Sequence, residues 1–181
     1  PEHFFGDVVT GLVEEGAKII IAIIIIKIVK VRTMFSGLLI GFAVGAGFDV
    51  FETTDYAIQS LFIPSESMND MHITTWVRSI FSIGIGHHFW TGMITAAYVG
   101  LNKTSKTKIL TVLHPWFLMV FVLVTMFHAL WNNGTINYPI IQALLGIIIF
   151  FVFATNAYIF SYSSSSAQKL STDDTEKILI H

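Results

Sequence analysis

Apolar residues dominate long stretches of the chain, and polar residues collect between those stretches. Five stretches are long enough to cross a bilayer as helices, which takes about 20 residues each. They occupy residues 8–28, 35–51, 77–101, 109–131 and 138–162. The pattern therefore predicts an all-α fold, a polytopic membrane helix bundle of about five transmembrane helices.

The segments outside these stretches are polar or short. The loop at 53–75 contains an apolar portion, 56–63, that is too short to span, and we expect it to lie in the membrane interface. Residues 163–181 contain four consecutive serines and a pair of aspartates, a composition that favours disorder. We therefore divide the chain into a transmembrane bundle, 1–162, and a polar cytoplasmic tail, 163–181. Because the chain opens at Pro1 rather than Met, we also expect further sequence upstream.

The basic residues predict the orientation of the bundle. Eight of the ten Lys and Arg residues fall in three regions that alternating spans place on one side of the membrane. These residues are Lys27, Lys30, Arg32, Lys103, Lys106, Lys108, Lys169 and Lys177. Basic loops stay in the cytoplasm, so this side is predicted to be cytoplasmic and the loops at 53–75 and 132–137 to face outward.

Composition agrees with a protein embedded in lipid. The chain is 54% hydrophobic and 12% charged, whereas soluble domains carry about 25% charged residues. It contains no cysteine, which excludes disulfides, thiolate catalysis and Cys-ligated zinc.

Several ionisable residues fall inside the predicted spans, where lipid makes a charged side chain costly and therefore a candidate for function. A helical rise of about 1.5 Å per residue places them in the outer half of the membrane on four spans. They are Glu14 and Glu15 on the first span, Glu52 at the end of the second, His87 and His88 on the third, and His128 and Asn132 on the fourth. Each alone has a structural explanation, such as a helix-end carboxylate or a hydrogen-bonded core histidine. Their shared depth predicts one site.

Small residues predict which helix faces point into the bundle. Gly37, Gly41 and Gly45 recur every four residues on the face that continues to Phe48 and Glu52. Small residues at this spacing let helix backbones approach closely, so this face is expected to point into the bundle. A similar stripe on the third span favours His88 as the packed histidine and places His87 on a neighbouring face; the stripe consists of Gly84, His88, Gly92, Ala96 and Gly100.

Four short motifs in the chain resemble those of one protein family. The segment from Glu14 to Lys18 resembles the EExxK motif of the PrsW family of intramembrane proteases, and the segment at 47–52, with Phe48 and Glu52, looks like its GFxxxE. The segment at 86–92 is similar to the family's GHxxxTG, with Arg78 upstream. His128 fits an HxxxD motif in which Asn132 replaces the aspartate. The four motifs occur in family order on separate spans.

The wider superfamily includes the CAAX prenyl proteases, whose pattern is EExxxR, FxxxH and HxxxN. This chain has Ile19 where their arginine would fall and Glu52 where their first histidine would fall. These two positions favour the PrsW branch, whereas Asn132 matches the CAAX pattern. The resemblance implies hydrolysis of a membrane-anchored protein, such as an anti-sigma factor, near the extracytoplasmic face of a bacterial or archaeal plasma membrane.

Amide hydrolysis requires an activated water and a stabilised oxyanion. A carboxylate desolvated within a bundle is a suitable general base, and we assign Glu14 this role with Glu15 in support. Lys18, one turn away, keeps Glu14 ionised. His128 and Asn132 share a helix face and are placed to donate to the oxyanion.

His87 and Glu52 complete the predicted pocket, holding the water or relaying its proton. Arg78, Phe48 and His88 are assigned supporting positions. We expect this chemistry to need no cofactor. The alternative is a divalent metal such as zinc, bound by Glu15, Glu52, His87 and His128, although the compact HExxH zinc signature is absent.

Other functions fit the same residues. A transporter or proton-coupled channel uses intramembrane Glu and His, although the sequence shows no internal repeat. A CAAX-type prenyl endopeptidase and a scaffold without activity are further alternatives. The expected partners are the lipid bilayer and a membrane-anchored protein substrate, with no nucleic acid.

Overall fold

The computed structural model describes residues 2–62, 67–104, 108–132 and 139–179. These ranges contain six α-helices, one 3₁₀ helix and no strand. The helices are α1 (Glu2–Val29), α2 (Met34–Ser60), α3 (Met68–Ile85), α4 (His87–Thr104), α5 (Pro115–Asn132) and α6 (Pro139–Leu179), with the 3₁₀ helix at Lys108–Leu113. The predicted all-α membrane bundle is therefore confirmed.

Three helical segments in the described part of the chain are long and apolar enough to cross a membrane: Met34–Ser60, Pro115–Asn132 and Ala143–Tyr162. α1 has a comparable length, but its charged residues, among them Glu14, Glu15 and Lys18, keep it out of this apolar class. The predicted number of five spans is thus approximate. The chain is an integral membrane protein, and its orientation stays a prediction.

The helix boundaries correct several sequence predictions. α2 continues to Ser60, so most of the segment predicted to lie in the interface extends the second span instead. The predicted third span is two helices, α3 and α4, separated at Gly86. The predicted fourth span begins as a 3₁₀ helix, and its α-helical part starts only at Pro115, because proline favours the first turn of a helix.

The sixth helix reaches further than the predicted fifth span. Its backbone is helical from 163 to 179, where the sequence predicted disorder. The division into a bundle and a cytoplasmic tail stays a prediction.

α4 lies at the centre of the bundle and contacts each of the other five α-helices. Its side chains are buried on nearly all sides, including those of Trp90, Ile94 and Tyr98. A helix that is covered all round forms the core against which the other helices pack. α4 therefore fixes where the helices that carry the ionisable residues stand.

The glycine face of α2 points into the bundle, as the sequence predicted, and the structure shows that its partner is α4. A Cβ atom at Gly37 would lie 2.7 Å from Val99 Cγ2, and one at Gly41 would lie 2.5 Å from Thr95 Oγ1. From the other side, a Cβ atom at Gly92 would lie 3.2 Å from the carbonyl oxygen of Leu38. Because a Cβ atom would clash at Gly37 and Gly41 and would be tight at Gly92, the two backbones approach more closely than larger residues would allow.

Candidate active site

The site is assembled around the first turn of α4. Gly86 has an extended backbone (φ −80°, ψ 161°) that ends α3, so α4 begins afresh at His87. A helix start leaves amide N–H groups without partners inside the helix. Asp49 of α2 supplies these partners, because its carboxylate accepts hydrogen bonds from the amide of His87 at 2.9 Å and that of His88 at 3.2 Å.

Asp49 also bonds the ring of His88 through its Oδ2 and Nδ1 of the imidazole. Asp49 is not among the site residues predicted from the sequence. The available signal was an acid inside an apolar run, one turn before Glu52. The structure shows that it joins α2 to the start of α4.

Four ionisable side chains are buried together where α1, α4 and α5 meet. Glu15 and His128 are fully buried, and Lys18 and His87 are nearly so. Lys18 Nζ donates to Glu15 Oε1 at 2.6 Å and lies 2.5 Å from His87 Nδ1. Glu15 Oε1 also lies 3.2 Å from Nδ1 of His87 and 3.2 Å from Nδ1 of His128. One carboxylate oxygen therefore connects one cation and two imidazoles, and burial in lipid makes such pairing necessary.

Glu52 extends this network to α2 and α3. Its Oε2 lies 3.0 Å from His87 Nε2 and accepts a hydrogen bond from Arg78 Nη2 at 2.6 Å. The Arg78 guanidinium also lies over the ring of Tyr56, 4.1 Å from the ring centroid. Both nitrogens of His87 thus face carboxylates, Glu15 on one side and Glu52 on the other.

Glu14 differs from Glu15 in having an oxygen that no hydrogen bond satisfies. Its Oε2 lies 3.6 Å from Lys18 Nζ and 3.6 Å from His128 Nε2. Glu14 Oε2 and His128 Nε2 are both buried and lack a hydrogen-bond partner. An unsatisfied buried polar atom is costly, and a ligand shared by these two atoms would satisfy both.

Glu14, His87 and His128 form a group that could hold a metal ion. One ligand atom from each lies within 4.8 Å of the others. Ligand atoms about 2.0–2.1 Å from a tetrahedral zinc ion lie about 3.3 Å from one another, close to the 3.6 Å between Glu14 Oε2 and His128 Nε2. This donor set has the composition of a zinc site.

This group differs from the metal ligands predicted from the sequence, in which Glu15 and Glu52 accompanied the two histidines. In the structure Glu15 is occupied by Lys18 and two imidazoles, and Glu52 is occupied by Arg78 and His87. Glu14 is the carboxylate with an oxygen to spare.

The remaining predicted site residues fall into two groups. Phe48 packs against the cluster, with its ring 4.8 Å from that of His87 and 3.9 Å from Lys18 Nζ. His88 packs against Phe42 of α2 and faces Asp49, but His87 is the more buried of the two histidines, contrary to the sequence prediction. Asn132 is exposed at the end of α5, and no described contact joins it to the cluster.

Trp90 and Thr91 of α4, which lie within the segment similar to GHxxxTG but had no predicted role, complete the walls of the site. The Trp90 ring lies 5.2 Å from that of His87 and 5.1 Å from that of His128. The Thr91 hydroxyl donates to Glu15 Oε2 at 3.4 Å. Their signal was position, since residues three and four beyond His87 share its helix face.

A small cavity adjoins His87, between α2, α3, α4 and the end of α5. Its volume is about 20 Å³, and its lining includes Glu52, Arg78, His87 and Trp90. A buried water needs about 10–15 Å³, so the cavity accommodates one water beside the carboxylate of Glu52.

Comparison with known proteins gives one result. The family model described as PrsW family intramembrane metalloprotease matches residues 2–157. No curated protein and no solved structure matches the chain. Because the family is described as metalloproteases, the prediction that no cofactor is needed is not supported. The match covers most of the sequence and all of the helices that build the cluster, and the chain therefore belongs to the PrsW family of intramembrane metalloproteases.

Proposed function

We propose that this protein is a metal-dependent intramembrane endopeptidase whose reacting centre is the group formed by Glu14, His87 and His128. Membership of the family supports membrane protease activity. The observation that carries the metal site is the pair of buried atoms without partners, Glu14 Oε2 and His128 Nε2, 3.6 Å apart.

The donor set suits zinc. One carboxylate and two imidazoles would hold the ion and would leave a position for water or substrate, as in zinc hydrolases. A zinc ion bound there would lower the pKa of a water and polarise the scissile carbonyl.

Glu15 and Glu52 orient the imidazoles. Glu15 Oε1 lies 3.2 Å from His128 Nδ1, which leaves Nε2 of that ring directed at Glu14. Glu52 fixes His87 from the side of Nε2, so Nδ1 would be the ligand atom of His87 and would exchange its present contact with Lys18 Nζ for the metal. A carboxylate behind a ligating histidine is the usual arrangement in metal sites, because it sets the tautomer and the ring orientation.

Lys18 and Arg78 supply positive charge. Lys18 offsets the charge of Glu15 within the bundle, and Arg78 offsets that of Glu52 at its edge. Glu52 lines the water-sized cavity, and we propose that its carboxylate acts as the general base and accepts a proton from the attacking water. This assignment replaces Glu14 as the general base, because in this proposal Glu14 is a ligand.

The substrate is a membrane-anchored protein of the anti-sigma-factor type, cut near the extracytoplasmic face. This orientation follows from the basic loops, which place the helix ends that carry Glu14, Glu52 and His128 in the outer half of the membrane. A peptide bond in this layer is reached from the bilayer or from the outer aqueous phase.

The test is a cleavage assay in liposomes with a membrane-tethered reporter whose cleavable segment lies near the outer surface. We expect chelation to abolish cleavage and zinc to restore it, with about one zinc bound per chain. Glu14→Gln and His128→Gln should each weaken zinc binding by more than the roughly 10–100-fold typical of outer-shell changes.

Asp55→Asn and His72→Gln are matched controls. Both residues are exposed on the described surface, and these substitutions make the same chemical changes as Glu14→Gln and His128→Gln outside the cluster. Both should bind zinc and cleave like the unmodified protein. Undiminished cleavage by a metal-free preparation would reject metal dependence. Normal zinc affinity in Glu14→Gln would reject Glu14 as a ligand.

A further inference from the structure

A second site lies at the other end of α1. A cavity of about 420 Å³ opens between the C-terminal end of α1 and the last turns of α4. It is about 24 Å along α1 from Glu14, given a rise of about 1.5 Å per residue. Its volume lies in the range of about 300–1,000 Å³ that is usual for small-molecule sites. The cavity is therefore separate from the cluster described above.

The lining of this cavity is basic. Lys27, Lys30 and Arg32 line it together with Tyr98 and Asn102, and none of the described lining residues is acidic. The three cations are exposed, whereas Tyr98 is only 3% exposed. The C-terminal end of a helix carries about half a negative charge, which three cations exceed several-fold. The excess positive charge is available to an anion.

The backbone of Lys30 provides an independent observation. Lys30 has φ 58°, and it is the only non-glycine residue with positive φ in the described ranges. The amide of Val31 donates to the carbonyl of Ile26 at 3.1 Å, as in the Schellman motif that ends many helices. Glycine is usual at this position, because a side chain in the left-handed region is disfavoured. A lysine that retains this conformation beside a basic cavity points to a role for its side chain.

We propose that this cavity binds a phosphate group, carried by the headgroup of an anionic phospholipid or by a soluble phosphate. Lys27, Lys30 and Arg32 supply the charge, and the Asn102 amide adds a polar contact at the wall. Basic pockets between transmembrane helices on the cytoplasmic side suit such headgroups. The predicted orientation places this end of α1 in the cytoplasmic leaflet.

The test measures thermal unfolding of the full chain in detergent during titration with dioleoyl phosphatidylglycerol, dioleoyl phosphatidylcholine or inorganic phosphate. We expect phosphatidylglycerol to raise the unfolding temperature and phosphatidylcholine to leave it unchanged. A shift with inorganic phosphate alone, matched by no larger shift with lipid, would support the phosphate site and identify a soluble ligand.

Lys30→Gly tests the effect of the charge on lipid binding separately from its effect on stability. The substitution removes the cation, and glycine adopts the left-handed backbone conformation at this position without strain. Without lipid it should be at least as stable as the unmodified protein. It should weaken the apparent affinity for phosphatidylglycerol at least about fivefold, the effect of one basic residue near an anionic surface. Lys30→Asn, which also tolerates this conformation, should behave alike.

Lys169→Gln removes one charge from the predicted cytoplasmic tail and is the matched control. It should leave the lipid response unchanged. The proposal is overturned if neither phosphatidylglycerol nor phosphate shifts unfolding. It is also overturned if Lys169→Gln weakens the response as much as Lys30→Gly, because general electrostatic attraction would then explain the effect.

Discussion

The close contact between α2 and α4 offers a sharp test of how the site is positioned. Gly41 lies at this contact, about three turns from Glu52, and is not part of the ionisable cluster. Replacing it by alanine places a Cβ atom 2.5 Å from Thr95 Oγ1 and 2.7 Å from Thr95 Cβ. The backbone carbonyl of Thr91 lies equally close and cannot rotate away.

The size of the expected displacement follows from these distances. Ordinary contacts begin at 3.4 Å, so the new methyl group falls about 0.9 Å short and the helices must separate by a comparable amount. The hydrogen bond between His87 Nε2 and Glu52 Oε2, 3.0 Å long, crosses the same interface and would no longer form. A misplacement of about 1 Å costs roughly 100-fold in rate, and overpacking costs about 1–3 kcal/mol of stability.

Gly47→Ala is the matched control, because Gly47 lies on the same helix and a Cβ atom there would meet nothing within 4 Å. Cleavage in liposomes and thermal unfolding are measured for both variants. Since the chain has no cysteine, a pair of spin labels on introduced cysteines can report the separation of α2 and α4 directly. If Gly41→Ala cleaves within twofold of Gly47→Ala, the reasoning that close packing positions His87 against Glu52 is refuted.

Three further predictions concern charged groups. Lys18→Met leaves the fully buried Glu15 without its cation, and we expect a loss of about 3–5 kcal/mol in chemical unfolding in detergent. The double variant Lys18→Met/Glu15→Gln should recover much of this loss, and no recovery would argue against a charge effect. Asp49→Ala removes the acceptor for the first amides of α4 and should cost about 1 kcal/mol or more in the same measurement, whereas unchanged stability would contradict the capping role. Hydrogen bonds from the Ser67 hydroxyl and amide hold the pKa of Asp70 below its usual value. The ionised carboxylate therefore stabilises the start of α3 fully at a pH above the usual pKa of Asp, and this stabilisation is lost as the pH falls through the lowered pKa. Ser67→Ala should raise the pKa of Asp70 in a carbon NMR titration, and an unchanged pKa would exclude the hydroxyl as its cause.

Periodicity in the sequence was enough to predict the class of the fold and the face of the second span that packs into the bundle. Apolar runs in lipid have to be helical, because every backbone polar group needs a partner within the segment. Gly37, Gly41 and Gly45 repeat on one face, and a face without side chains is where a second backbone fits. These conclusions depend only on spacing along one chain.

Spacing could not predict the break at Gly86. A glycine in an apolar run is also compatible with close packing inside a continuous helix, which is how the sequence analysis interpreted this span. Asp49, which lies on another helix, bonds the amides that the break releases. A partner nearly forty residues away leaves no local pattern near Gly86.

The sequence by itself determined that Glu14, Glu15, His87 and His128 lie at similar depths, since lipid restricts where charged groups can be placed. Only the tertiary structure decided which partners each of these side chains contacts. Glu14 and Glu15 are neighbours about 100° apart on α1, and the helices packed on each side direct Glu15 to Lys18 and two imidazoles while Glu14 keeps an unsatisfied oxygen. Such roles depend on which atoms meet across helices, and that is set by packing rather than by order along the chain.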